Sequence, residues 1–273
     1  MGTTAPKAPR PDYGLDAPGV VRNLLLFGAA GLLTWATTTA GLWSGQVGPV
    51  HLAPMGLCIG VGLTLTGLWM VWDSKVGKVR ARERLLDRIP WTGEEQVLDV
   101  GCGRGLMLVG AARRLTTGRA TGIDIWQAED LSGNRPEAAL ENARREGVAD
   151  RVEVRTADMR QVPLPDGSVD VVVSRAAVHN LYDPKDRARA IREIARVLRP
   201  GGRALIADIR HSGEYTATFA EAGCEDVRDV GSPLARWFLA LITFGSLRPA
   251  ILIVRKPAGP PADGEPIPLE RVG

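Results

Sequence analysis

The chain has 273 residues, room for one good-sized domain and an accessory segment. Its hydrophobic share of 45% and charged share of 24% are those of a folded protein, which excludes a chain that is disordered throughout. A net charge of +3 leaves no footprint for nucleic acid, and three scattered cysteines and three distant histidines exclude a disulfide framework and a zinc site and fit a reducing compartment.

Residues 1–19 are rich in Pro, Gly and Ala without periodicity and are expected as a disordered tail. Residues 20–73 then hold two uncharged runs, 23–43 and 52–72, each of about 20 residues, the length that crosses a hydrocarbon core. Gly and Thr dilute the first run. Trp43, Trp69 and Trp72 stand at run ends, where indole rings favour the headgroup boundary. Gly56 and Gly60 form a GxxxG pair that lets two such helices pack closely. A signal peptide has a short apolar core near its start, which does not fit, so a transmembrane hairpin is expected, with two buried helices as the alternative. The connector 44–51 lacks Lys and Arg, whereas Lys7, Arg10 and Arg22 precede the first run and Lys75, Lys78, Arg80, Arg82, Arg84 and Arg88 follow the second. The positive-inside rule therefore puts both termini and the following domain in the cytoplasm. Residues 74–95 read as a basic linker helix, with its helical pattern over 78–88, which is solvated, rests on anionic lipid, or both.

From residue 96 to 256 apolar runs and helical patterns alternate. Strands are expected at 96–100, 120–123, 152–155, 169–174, 204–207 and 251–254, with helices among them at 136–146 and 185–198. This order predicts an α/β domain with a mostly parallel, Rossmann-like sheet covered by helices on both faces. The last strand is expected antiparallel, because the chain returns to it through a long turn after Asp229. Residues 257–273 read as a second disordered tail.

The first chemical motif is VLDVGCGRG at 97–105. A strand ends at Val100, glycines turn the chain, and a helix starts near Arg104. Glycines in that place leave room for a ligand lying across the strand end. Dinucleotide enzymes use GxGxxG, but here the third glycine comes one residue early and Leu106 fills its place. Asp99, just ahead of the turn, suits a ligand with a cationic amino-acid tail and would repel a pyrophosphate. The alternative is that Asp99 simply caps the turn.

With these residues the chain resembles the class I S-adenosylmethionine-dependent methyltransferases, closely over about 110 residues and loosely over most of 90–256, nearest to the small-molecule branch that includes quinone and sterol methyltransferases. Its motif I is similar to 97–105, and later blocks follow at 157–159, 165–174 and 198–206. The resemblance implies S-adenosylmethionine as cofactor, bound by Asp99, Gly101, Cys102, Gly103 and Gly105. It implies Asp124 at the end of the second strand on the ribose hydroxyls, beside Ile125 and Trp126. It implies Asp158 and Met159 at the adenine, and Ser174 at the end of the fourth strand. Asp158 also suits a plain loop, and Trp126 either lies over the adenine or packs on the surface.

No metal ligand set stands out. Beyond the fourth strand, SRAAVHNLY at 174–182 is the acceptor-facing segment. His179 is the candidate base, since histidine titrates near neutrality, or else it bonds the loop. Tyr182 and Asn180 are candidates to orient the acceptor. The Asn/Asp-Pro-Pro-Tyr/Phe signature of amino-methylating branches is absent, which argues against adenine, cytosine-amino and glutamine-amide acceptors. Two segments stay open. Residues 127–134 cover the cofactor or form an idle loop, and 233–247 lie on a membrane surface, line an apolar pocket or fill a core. The expectation is a membrane-anchored methyltransferase acting from the cytoplasm on a small apolar or membrane-borne acceptor. Its alternatives are a methyltransferase of membrane proteins and a non-catalytic module that binds the cofactor.

Overall fold

The computed structural model describes residues 10–127 and 129–259, so the expected tails over 1–9 and 260–273 lie outside the described residues. The chain divides into two compact units. One comprises Met1–Pro90, Gly103–Arg113 and Ile125–Val154; the other comprises Trp91–Cys102, Arg114–Asp124 and Arg155–Gly273.

The first unit holds helix α1 (Pro18–Thr39), a small hairpin of β1 (Gln46–Val47) and β2 (Val50–His51), and helix α2 (Leu52–Trp72). A π-helical turn, Asp73–Gly77, joins α2 to α3 (Lys78–Leu86), and α4 (Leu106–Ala112) and α5 (Pro136–Arg145) come later in the chain. Pro18 opens α1 in the first turn, where its missing N–H costs nothing. Near the other end the hydroxyls of Thr34, Thr37, Thr38 and Thr39 donate to carbonyls four residues back, so these polar side chains are satisfied within the helix. The helix therefore starts five residues before the expected 23, and Trp43 falls beyond its end. The glycines explain how α1 and α2 meet. A Cβ on Gly31 would sit 2.9 Å from the Gly60 nitrogen, and one on Gly56 would sit 2.8 Å from the Gly31 carbonyl oxygen. Only glycine admits that backbone approach. Away from this seam, Leu26, Phe27, Leu33, Ile59, Leu65 and Leu68 are exposed. Both helices are long and apolar enough to cross a membrane by length and composition.

Two expectations fail in this unit. Residues 10–17 are packed rather than loose: Tyr13 is buried and its hydroxyl meets Glu146. The composition hid this because polar tertiary contacts hold the segment, not a hydrophobic pattern of its own. The basic run of α3 is not uniformly solvated or lipid-facing either. Lys78 and Arg82 are each 1% exposed. The Lys78 ammonium donates to the carbonyls of Tyr13 and Gly14 and pairs with Asp16, while Arg82 pairs with Glu83 and Glu146. Such burial is tolerable only because each charge is matched.

The larger sheet is seven-stranded, with strands β3 (Gln96–Val100), β4 (Arg119–Asp124), β5 (Val152–Thr156), β6 (Val169–Arg175), β7 (Leu198–Asp208), β8 (Glu225–Asp229) and β9 (Ala250–Arg255), all in the second unit except β5, which the division after Val154 splits. Their order is β5-β4-β3-β6-β7-β9-β8. Strand β3 runs parallel to β4 and β6, and β6 to β7; β9 is antiparallel to both β7 and β8. This is the Rossmann-like, mostly parallel α/β sheet with its expected antiparallel last strand. Helices α6 (Pro184–Val197) and α7 (Ser212–Glu221) bury Ile191, Ile194, Tyr215 and Phe219 in one core with Leu98, Val172 and Ile206. Asp183 caps α6 by accepting from the Lys185 N–H. Every residue of β6 but the last is buried, as a central parallel strand requires. Strand β8 (EDVRD) was not expected, because its charged, exposed sequence suits a protected sheet edge and shows no apolar alternation.

Residues 233–247 form α8 (Pro233–Ile242) and a turn. Ser232 caps the helix by accepting from the Ala235 N–H at 3.2 Å. Leu234, Trp237, Phe238 and Leu241, at helical spacing, are exposed, and so is Phe244. That open apolar stripe excludes core packing for this segment.

Candidate functional site

In the second unit, β3 and β4 end side by side, with Asp99 opposite Gly122 and Val100 opposite Ile123. The N–H groups of Gly101 and Cys102 both donate to the Ile123 carbonyl, which folds the chain tightly over the end of β4. Gly101 has φ +72°, and a Cβ there would stand 2.3 Å from that of Ala177. The glycine expected to clear space for a ligand thus also clears space for the protein's own loop after β6. Asp99 is buried. Burial above all, and then the charges of Asp99 and Asp124, push the Cys102 thiol well up, so Cys102 is a protonated packing group.

Asp158 follows β5 and is held in a tight turn, accepting from the Arg160 N–H at 2.8 Å and from its guanidinium. The Arg160 hydrogen bonds hold its carboxyl below the usual range against the opposing effect of burial. Arg160 also reaches Asp186 at 2.7 Å. Met159 packs partly buried against the core. Ser174 is placed as scaffolding rather than toward a ligand: it is 1% exposed and its hydroxyl donates to the Val100 carbonyl at 2.8 Å.

His179 lies in a 3-10 turn, Val178–Asn180, just after β6. Its Nδ1 is 2.6 Å from an Asp208 oxygen, and its backbone N–H donates to the other oxygen at 3.0 Å. Asp208, buried at the end of β7, also accepts from the Ile209 N–H and the Tyr215 hydroxyl. Burial first, and the Asp208 charge second, raise the Tyr215 hydroxyl's pKa, so it stays a donor. A proton on Nδ1 facing the carboxylate leaves Nε2 as the imidazole's acceptor. Sequence reading missed Asp208; its one signal was an acidic residue closing an apolar strand. Tyr182 departs from expectation, being 97% exposed. Arg187 fixes the carbonyls of Leu181 and Tyr182 and pairs with Glu214, which orders the backbone and leaves the phenol in solvent.

In the first unit, Gly103 (φ +51°) and Gly105 (φ +82°) continue the turn, and Gly105 forms the cap of α4. A Cβ on Gly103 would come 2.8 Å from Leu131. Ile125 is exposed, and Trp126 has φ +62°. A bulky residue in that region stores strain of about 1–3 kcal/mol, a feature concentrated at ligand sites. Arg104 is committed to Asp12 and to the Ser132 carbonyl.

These groups fit S-adenosylmethionine. In the second unit the acidic residues Asp99 and Asp124 belong to the ends of adjacent strands, the residue type that an ammonium or ribose hydroxyls call for. The arginine in the motif is engaged by the protein, which disfavours a pyrophosphate ligand.

The comparisons agree. Residues 98–206 match the family described as "Methyltransferase domain". The chain is 39% identical over 130 residues to the methyltransferase GfsG of Streptomyces halstedii, covering 48% of this chain and 43% of that protein. It is 36% identical over 168 residues to the 27-O-demethylrifamycin SV methyltransferase of Amycolatopsis mediterranei (strain S699), covering 59% and 56%. The chain thus spans about half the length of these relatives. The geranyl diphosphate C-methyltransferase of Streptomyces coelicolor A3(2), solved with Mg2+, geranyl diphosphate and S-adenosyl-L-homocysteine, shares the fold at TM-score 0.51 and 19% identity, covering 65% of this chain and 78% of that one. Residues 98–206 are a class I methyltransferase domain, and S-adenosylmethionine is its cofactor.

Proposed function

We propose that the chain uses this domain to methylate a small, apolar or membrane-borne acceptor from the cytoplasmic side of a membrane in which α1 and α2 are anchored. The observation that carries the reading is the joining, in one chain, of a methyltransferase domain to two exposed apolar helices seamed by glycine. In water those faces would be costly at roughly 25 cal/mol per Å2 of apolar surface, and in lipid they are at home. The absence of Lys and Arg between the helices and the basic residues flanking them support cytoplasmic ends. The relative from Amycolatopsis mediterranei methylates 27-O-demethylrifamycin SV, which supports a small-molecule acceptor, and the open stripe of α8 supports an apolar one.

When bound, S-adenosylmethionine supplies a methyl group already activated on its sulfonium. Asp99 would hold the amino-acid ammonium and Asp124 the ribose hydroxyls, so that the cofactor is oriented before the acceptor arrives. His179 Nε2 takes the proton from an acceptor hydroxyl or acidic carbon, and Asp208 orients the ring and stabilises the imidazolium that forms.

The test is transfer of radiolabelled methyl by the full chain in native membranes, followed by fractionation. Label in a lipid or quinone fraction is expected. Label in protein alone would replace the acceptor class with membrane proteins, and cofactor binding without any transfer would identify a binding module.

A further inference from the structure

Two of the segments read as cofactor-binding, the glycines Gly103 and Gly105 and the pair Ile125–Trp126, lie in the first unit. One stretch of chain, residues 12–17, bonds to the parts that follow both. The Arg104 Nε donates to the Asp12 carbonyl at 2.8 Å, its terminal nitrogens pair with the Asp12 carboxylate at 3.0 Å and donate to the Ser132 carbonyl at 3.0 Å. Asn142 completes the join, since its amide donates to the carbonyls of both Asp12 and Arg104 and accepts from the Asp12 N–H. Leu15 and Ser132 exchange hydrogen bonds, and the Ala17 N–H donates to the Asp130 carbonyl. Gly14 (φ +76°) is needed there, because a Cβ would stand 2.9 Å from Arg104 and from the Ser132 carbonyl. From α3, the buried Lys78 holds the same stretch by two carbonyls and Asp16.

We propose that residues 12–17 are a positioning clip for the cofactor loops, held in place by Lys78, so that cofactor affinity depends on chain lying outside the methyltransferase domain. The physical need is plain. Glycines give the turn the conformations the ligand requires but leave it free to adopt many others, and a loop that must be ordered on binding loses affinity. The clip orders Arg104, between the two glycines, and residues 130–132 beyond Trp126, which are thereby a docking edge rather than part of an idle loop. It runs directly into α1, one residue after Ala17.

The inference rests on the cofactor reading of these loops, and linkage supplies a test that needs no substitution. If the clip favours the bound cofactor, the cofactor must stabilise the clip by the same factor. Hydrogen–deuterium exchange is measured on the full chain in detergent with and without saturating S-adenosylhomocysteine, at times short of global unfolding. Slower exchange over 12–17 is expected, together with protection of 103–105 and 125–134. Protection of those loops with no change over 12–17 would overturn the clip. As a second arm, Asp12→Ala, which loses the charged pair to Arg104, and Asn142→Ala, which loses three neutral hydrogen bonds to Asp12 and Arg104, are each expected to raise the Kd for S-adenosylhomocysteine about tenfold. Lys75→Ala, which removes only an exposed pair to Asp12, is expected to stay within about twofold. Unchanged affinity in both clip variants would also overturn the proposal, whereas no binding by the natural chain would overturn the cofactor reading beneath it.

Discussion

At the scale of single residues, the site separates groups that touch ligands from groups that shape the backbone. Asp124 is assigned to ribose hydroxyls, so Asp124→Ala is expected to weaken S-adenosylhomocysteine binding by about ten- to a hundredfold, since hydrogen bonds to charged groups contribute about 1.5–3 kcal/mol. Calorimetry that shows less than a twofold change would remove Asp124 from the site. His179 and Asp208 act as a pair. Asp208→Asn keeps the shape of the side chain but loses the charge that stabilises an imidazolium, and it lets the ring take the wrong tautomer. A fall in kcat of about a hundredfold or more with little change in KM is expected if the imidazole takes a proton. Tyr182→Ala should leave both constants unaltered, because its ring lies 97% in solvent. Gly101→Ala is a packing test instead. Its φ of +72° and the contact with Ala177 make any side chain strained, so thermal stability should drop before affinity is considered.

At the scale of elements, the tie among α3, α5 and the clip is electrostatic, and its pH dependence has a definite sign. Burial alone would raise the pKa of Glu146, but hydrogen bonds from Arg82 and Tyr13 together outweigh it and leave it below the ordinary glutamate range. A carboxylate depressed in the folded state adds stability that is fully present above its unfolded pKa of about 4.3. That stability is lost as pH falls through the lower folded value. Glu146→Gln should therefore be less stable at neutral pH and show a shallower acid limb in denaturant titrations run at a series of pH values. Parallel acid limbs for the two proteins would show that Glu146 carries no such linkage. The α1–α2 seam makes a different demand. Gly31→Leu would drive a side chain into the backbone of Gly60, so the helices must separate, and accessibility of a thiol introduced at Thr64→Cys, whose side chain faces Gly28 in the seam, should rise.

At the scale of the whole molecule, the anchor and the domain make one claim that a membrane preparation decides. The full chain is expected to stay in the pellet after alkaline carbonate extraction, and a reporter fused to residue 273 should read cytoplasmic. Release into the supernatant would return α1 and α2 to some other use of apolar surface. Much of this organisation was legible in the sequence because its signals are local. A 21-residue uncharged run yields α2 as expected, and β3 coincides with the expected strand over 96–100. The glycine turn was visible because such a backbone restricts which residues can stand there. Asp99 was singled out by its place just ahead of that turn, and Asp124 by the resemblance to the methyltransferases.

The sequence by itself determined six of the seven strands of the sheet and the two apolar helices, since each is written in periodicity or composition within a short window. Tertiary structure alone decided that Asp208 holds His179, that Ser174 supports a strand end, that Lys78 and Arg82 are buried, and that residues 12–17 are bound to the loop of Arg104. Those outcomes rest on pairings between residues from 29 to 92 positions apart. No local pattern records such a pairing, because a charged side chain has the same sequence neighbours whether it ends in solvent or against a distant partner.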